Sequence, residues 1–155
     1  MQQYINIIEE AIKLIGIDPA TCRGEKPTQW NLTKGSASVW LDLWHIEKEA
    51  RAYFQAISPV LSLDTVSNVA ALTKELLELN HQLYGTAFTI YNNTVFVKVI
   101  READGMDATE ANAMILRVGS YADQYDDYLK NKYCVPPPPP NPPAGGQVPA
   151  APPNM

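Results

Sequence analysis

Residues 76–134 run LLELNHQLYGTAFTIYNNTVFVKVIREADGMDATEANAMILRVGSYADQYDDYLKNKYC, and their pattern reads as one helix, hairpin and helix unit. This order limits the possible folds more than any other stretch. A leucine-striped helix gives way at Tyr84-Gly85, where glycine allows the sharp exit that positive φ requires. AFTIY and TVFVKVIRE then read as two strands, and the Asn92-Asn93 link between them suits a type I′ hairpin because Asn tolerates positive φ. Asp107 followed three residues later by Glu110 has the spacing of a capping box, with Asp in place of Ser or Thr. It opens a last helix that carries Met114, Val118, Tyr121, Tyr125 and Leu129 near one face.

The first half supplies a helix and three more strands. Ile5, Ile8, Ile12 and Ile15 recur at helical spacing, widened by Ile7 and Leu14, and Gly16 with Asp18-Pro19 ends the stripe. From Thr28 the residues turn β-rich: TQWNLT, a KGS turn, ASVWLDLWHI, a charged turn at Glu47-Lys48-Glu49, and ARAYFQAI. Pro59 is expected to break or edge this region, because proline cannot donate to a ladder. Asp64 or Ser67 is the expected cap of the second helix, whose stripe is Val69, Leu72, Leu76, Leu79 and Leu83.

The resulting order, α-β-β-β-α-β-β-α, belongs to the α+β class: a twisted, largely antiparallel sheet packed with helices. In the second strand Val39, Leu41 and Leu43 face one side while Trp40, Asp42 and Trp44 face the other. Both faces are partly apolar. For the two tryptophans, core or dimer packing is the reading that their size favours, and a surface for a partner is the alternative. Trp40, Trp44, Tyr53 and Phe54 are the candidate partner-binding residues.

Composition narrows the function. A chain of 155 residues, 46% apolar and 19% charged, fits one domain with a substantial core. The net charge of −5 lacks the clustered Lys and Arg that phosphate neutralisation needs, so nucleic-acid binding is disfavoured. Asp123, Asp126 and Asp127 share a helix turn, which suits a solvated acidic face more readily than a cation site. His45 and His81 stand alone, without GxSxG or HExxH, and the two cysteines form no CxxC pair. Neither an enzyme nor a cofactor or metal site is expected. No run approaches the roughly 20 apolar residues of a spanning helix and the N-terminus does not read as a secretory signal, so a cytoplasmic protein with reduced thiols is expected.

Leu79-Asn80 with Gly85 and Phe88, Arg101-Glu102, Gly105-Met106-Asp107, Val118, Ala122-Asp123 and Asp126-Asp127-Tyr128-Leu129 together resemble the YbjN family, also described as bacterial sensory-transduction regulators. The resemblance covers residues 64–134 well and the first half mainly in element order. It implies the fold of the class I type III secretion chaperones, which are small acidic proteins, typically homodimers, that bind extended segments of their partners. The function it implies is a noncatalytic protein-binding domain, chaperone-like or regulatory.

Ten of the thirteen prolines lie in residues 135–155, VPPPPPNPPAGGQVPAAPPNM, where no side chain is charged. The domain is therefore expected to span 1–134, and 135–155 to form a disordered proline-rich tail with polyproline II character. Such a tail is a linker or solubilising extension, or else a ligand for an aromatic groove. The second reading gives the alternative function, a structural adaptor whose tail recruits another protein.

Overall fold

The computed structural model describes residues 1–136, so the tail expected over 135–155 lies outside the described residues apart from its first two positions. The elements are α1 (Gln2–Leu14), β1 (Gln29–Lys34), β2 (Ala37–Ile46), β3 (Arg51–Ser62), α2 (Val69–Asn80), β4 (Ala87–Tyr91), β5 (Thr94–Glu102) and α3 (Ala108–Tyr133), with single-turn helices before β1, β3 and α2. The α+β class and the element order expected from the sequence are those observed. All neighbouring strands are antiparallel, in the order β1-β2-β3-β5-β4.

Period-two alternation divides the sheet into two unlike faces. On one, Trp30, Leu32, Val39, Leu41, Leu43, Phe54, Ala56, Val97 and Phe88 join a single core with the apolar sides of the three helices. The 26-residue α3 is about 39 Å long at 1.5 Å per residue, and it touches β1, β2, β3 and β5. Gly119 permits its close approach: a Cβ there would lie 2.8 Å from Cβ and Cγ of Lys34 and 3.2 Å from a Val39 methyl. α1 packs against α3, where the Asn112 side chain donates to the Ala11 carbonyl at 3.1 Å.

Turn and cap chemistry sets the boundaries. Asn92 and Asn93 hold φ of 44° and 61°, the paired positive values of a type I′ turn, and Gly85 sits at 64°. Asp107 caps α3 by accepting from the Glu110 amide at 2.7 Å, but Glu110 does not complete the reciprocal box because its carboxylate pairs with Arg101. The cap of α2 is Asn68, not Asp64 or Ser67; its side chain accepts from the Ala71 amide at 3.0 Å. Asp64 instead belongs to the preceding single turn and receives the Asn93 side-chain amide at 2.5 Å.

Pro59 also departs from expectation, since it neither breaks nor edges the sheet but lies within the central strand. Two features make this possible. The ladder to β2 has ended at Ile57, and the ladder to β5 shifts register between Pro59 and Leu61.

Each outer strand has part of its edge occupied. At β4 the Asn80 side chain accepts from the Phe88 amide at 2.6 Å and donates to the Phe88 carbonyl at 3.2 Å, standing in for a missing strand. At β1 the segment before it bridges back: Asn31 donates to the Cys22 carbonyl at 2.7 Å and Gly24 to the Gln29 carbonyl at 2.8 Å.

The end of α3 is fastened to α2 through Glu75. Its carboxylate accepts from the Tyr128 hydroxyl at 2.5 Å and from the Tyr133 hydroxyl, and it pairs with Lys132 at 2.8 Å. Burial pushes this carboxyl up, yet the hydrogen bonds from Lys132, Tyr128 and Tyr133 outweigh it and hold the group below its ordinary 4.5. Lys132 is raised in turn, first by its hydrogen bond to Glu75. The chain then leaves along the same end of the sheet, with Val135 donating to the Thr65 carbonyl at 2.8 Å.

Two outcomes follow from these contacts. Gly119→Val should lose about 1–3 kcal/mol in urea unfolding, because α3 must lift from the β1–β2 hairpin to admit the side chain; an unchanged midpoint would show that this approach is not tight. For Glu75 the folded value lies below the unfolded one, so the clamp contributes fully above about pH 4.5 and is lost as pH falls through the folded value. Between about pH 6 and about pH 3 the unfolding midpoint of the parent should fall more than that of Glu75→Gln, and parallel pH profiles would refute the clamp.

Candidate functional site

The opposite face of the sheet carries the tryptophans. Register places Trp40, Ile57, Lys98 and Ala87 in one row across β2, β3, β5 and β4. Asp42, Gln55 and Ile100 form the next row, and Trp44, Tyr53 and Glu102 the one beyond. Trp40, Trp44 and Tyr53 on this face lie outside the core cluster, Phe96 is buried beneath the face, and none of the three helices supplies a residue to the depression that it contains. Trp40 is 40% exposed and Ile100 45%.

Hydrogen bonding divides the face into two aromatic patches. Both oxygens of Asp42 are taken, one by the Gln29 amide at 2.8 Å and the other by the Gln55 amide at 3.2 Å, which lays a polar bar across the strands. On one side of it Trp44 stacks on Tyr53, with ring centroids 6.1 Å apart and planes 22° apart. The Tyr53 hydroxyl donates to Glu49 at 2.6 Å, and this hydrogen bond raises its pKa above the ordinary value. On the other side Trp40 leans on Phe96, with centroids 6.2 Å apart. Trp40, Phe96, Ile57 and the β4–β5 hairpin with Ile90 and Tyr91 line a depression of about 580 Å³.

Trp40, Trp44 and Tyr53 thus share the uncovered face, but Phe54 does not. It points into the core and is 0% exposed, because neighbours along a strand lie on opposite sides. Trp40 and Trp44 are not core residues, and the fully buried tryptophan is Trp30. Phe96, Ile57, Ile100 and Tyr91 were not singled out from the sequence. The signal for the first was present: in TVFVKVIRE, Phe96, Lys98 and Ile100 alternate with Val95, Val97 and Val99, as Trp40, Asp42 and Trp44 do with the valine and leucines of β2.

The remaining candidates have structural surroundings. Asp123 receives the Ser36 amide at 2.8 Å and the Ser36 hydroxyl at 2.7 Å, pinning the β1–β2 turn to α3, and the backbone hydrogen bond is the first cause of its lowered pKa. Among the described residues no three His, Cys, Asp or Glu side chains converge as a metal site would require. His45 lines a polar depression of about 460 Å³ with Glu49, Arg51 and Glu102. Arg51 there pairs with Glu102 and Glu49 takes the Tyr53 hydroxyl. Cys22 and Cys134 are free thiols, and burial pushes Cys22 up. No helix among the described residues is long and apolar enough to cross a membrane.

No protein-family model matches the chain. No curated protein matches it in sequence either. Among solved structures it is similar to a chain of the crystal structure of the ExsC–ExsE complex, with a TM-score of 0.60 at 14% identity over 83% of this chain and 94% of the other. At that identity the likeness is one of fold: the chain shares the α+β architecture of a protein seen in a two-protein complex, over nearly the whole length of that protein.

Proposed function

We propose that this protein is a noncatalytic binding domain, chaperone-like or regulatory, that holds an extended segment of a partner protein against the uncovered face of its sheet. The observation that carries the reading is that face itself, where Trp40, Ile57, Ile100, Trp44 and Tyr53 stand outside the core around a Phe96 that is itself buried. Contiguous exposed apolar surface marks interaction sites, and Trp and Tyr dominate the energetics of such interfaces. The fold's occurrence in the ExsC–ExsE complex and the YbjN-like motifs of residues 64–134 support the same reading. They also support a homodimer working in the cytoplasm.

Trp40, Trp44 and Tyr53 are the proposed contact residues, and the polar bar at Asp42 separates two apolar docking points that an extended chain would span. The experiment is affinity capture with wild type and with Trp40→Ala/Trp44→Ala, followed by titration of the captured protein. A partner is expected whose dissociation constant rises about thirtyfold in the variant, equivalent to about 2 kcal/mol. Equal affinity for a variant that keeps its circular dichroism spectrum would remove this face from the function. Light scattering of the wild type checks the dimer, for which a monomeric mass would be the contrary result.

A further inference from the structure

We propose that the proline-rich segment of the same chain, residues 136–143, is an occupant of the Trp40–Phe96–Tyr91 depression and covers it when no partner is bound. Four observations lead there. The first is where the chain departs. Val135 is tied to Thr65, and Thr65 lies in the single turn that follows β3 at Ser62. Ser62 pairs with Thr94, which lines the depression. The segment therefore leaves from the end of the sheet at which the depression opens.

The second is reach. From Thr65 back along β3 to Ile57, the partner of Trp40, the path is roughly 22 Å at about 2.0 Å per residue in the turn and about 3.3 Å in the strand. Residues 136–143, PPPPPNPP, extend roughly 25 Å as polyproline II at about 3.1 Å per residue. The run must also round the end of the sheet from the helix-covered side, so it meets Tyr91, Thr94 and Phe96 first and comes near Trp40 through the Phe96 ring beside it.

The third is chemical fit. Apart from Asn141, the run offers carbonyl acceptors and ring faces but no N–H donors. Its site must therefore be apolar with donors at its margin, which is the aromatic mode of polyproline recognition. The depression presents the Trp40 indole N–H, the Tyr91 hydroxyl, the Asn92 amide and the Lys98 ammonium around Phe96 and Ile57. None of those four groups is hydrogen-bonded to another side chain among the described residues. The fourth is charge: residues 135–155 have none, and Lys98 is the sole charged residue lining the depression, so burial desolvates almost no charge.

Attachment through so short a connection places the run at an effective concentration in the millimolar range, so a weak ligand suffices to fill the site. Its regulatory consequence, that a partner must displace the segment, rests on the partner-binding reading of the same face. The docking does not.

Nitrogen-15 NMR of the full chain tests it. The wild type is compared with a full-length variant carrying Pro136→Ser, Pro137→Ser, Pro138→Ser, Pro139→Ser, Pro140→Ser, Pro142→Ser and Pro143→Ser. The Trp40 indole signal and the Ile57, Tyr91, Phe96 and Lys98 amides should shift, while the Trp30 indole stays in place. Signals that do not move, or that move on another surface, overturn the proposal. Adding unlabelled wild type to the labelled variant should leave the face signals where they are; a return toward wild-type positions would mean that the run docks on a second copy and would overturn docking within one chain. No partner is present in either measurement, so a failure here leaves the partner titration to decide the other reading by itself.

Discussion

The arrangement depends on α3 lying close against one face of the sheet. A helix of this length can cover four strands only if its backbone comes down onto the β1–β2 hairpin, and Gly119 makes that approach possible. Asp123, one turn later, then holds the hairpin turn through Ser36, and Glu75 fastens the far end of the helix to α2. All the helical cover is spent on one side. The other side leaves Trp40, Trp44 and Tyr53 outside the core, and the functional reading follows from that asymmetry.

Much of this was legible in the sequence because it is written in short-range chemistry. Alternation in ASVWLDLWHI separated the core residues Val39, Leu41 and Leu43 from Trp40 and Trp44, and the same rule applied to β3 would have moved Phe54 into the core beside them. Asn92-Asn93 and Asp107 each solve a local backbone problem with their own side chains, so their roles needed no knowledge of the fold. Pro59 misled because its tolerance is long-range: it depends on where a neighbouring ladder stops and where another slips by a residue. Asn68 displaced Asp64 as a cap for a similar reason, since Asp64 is engaged by Asn93 from a distant hairpin.

The candidate site was legible in half. Trp40 and Trp44 stand out in any reading of β2, but their neighbours Ile57, Phe96 and Ile100 come from strands up to sixty residues away, and only register brings them together. The acidic turn at Asp123 pointed the other way. Its spacing suggested solvated or cation-binding carboxylates, and its leading member turned out to be a structural acceptor for a turn 87 residues earlier in the chain.

The partly covered edges of β1 and β4 bear on what kind of ligand the proposed face would suit. A sheet with a bare margin invites any extended peptide to add itself through main-chain hydrogen bonds, which carry little information about sequence. Here the Phe88 amide and carbonyl are spoken for by Asn80, and Trp30's neighbours by residues 22–24. Under the proposed function, these covered stretches favour recognition by side chains across the flat of the sheet over strand addition at Phe88 or Asn31. The same partial covering shortens the stretch of bare strand on which a second copy of the chain could stack.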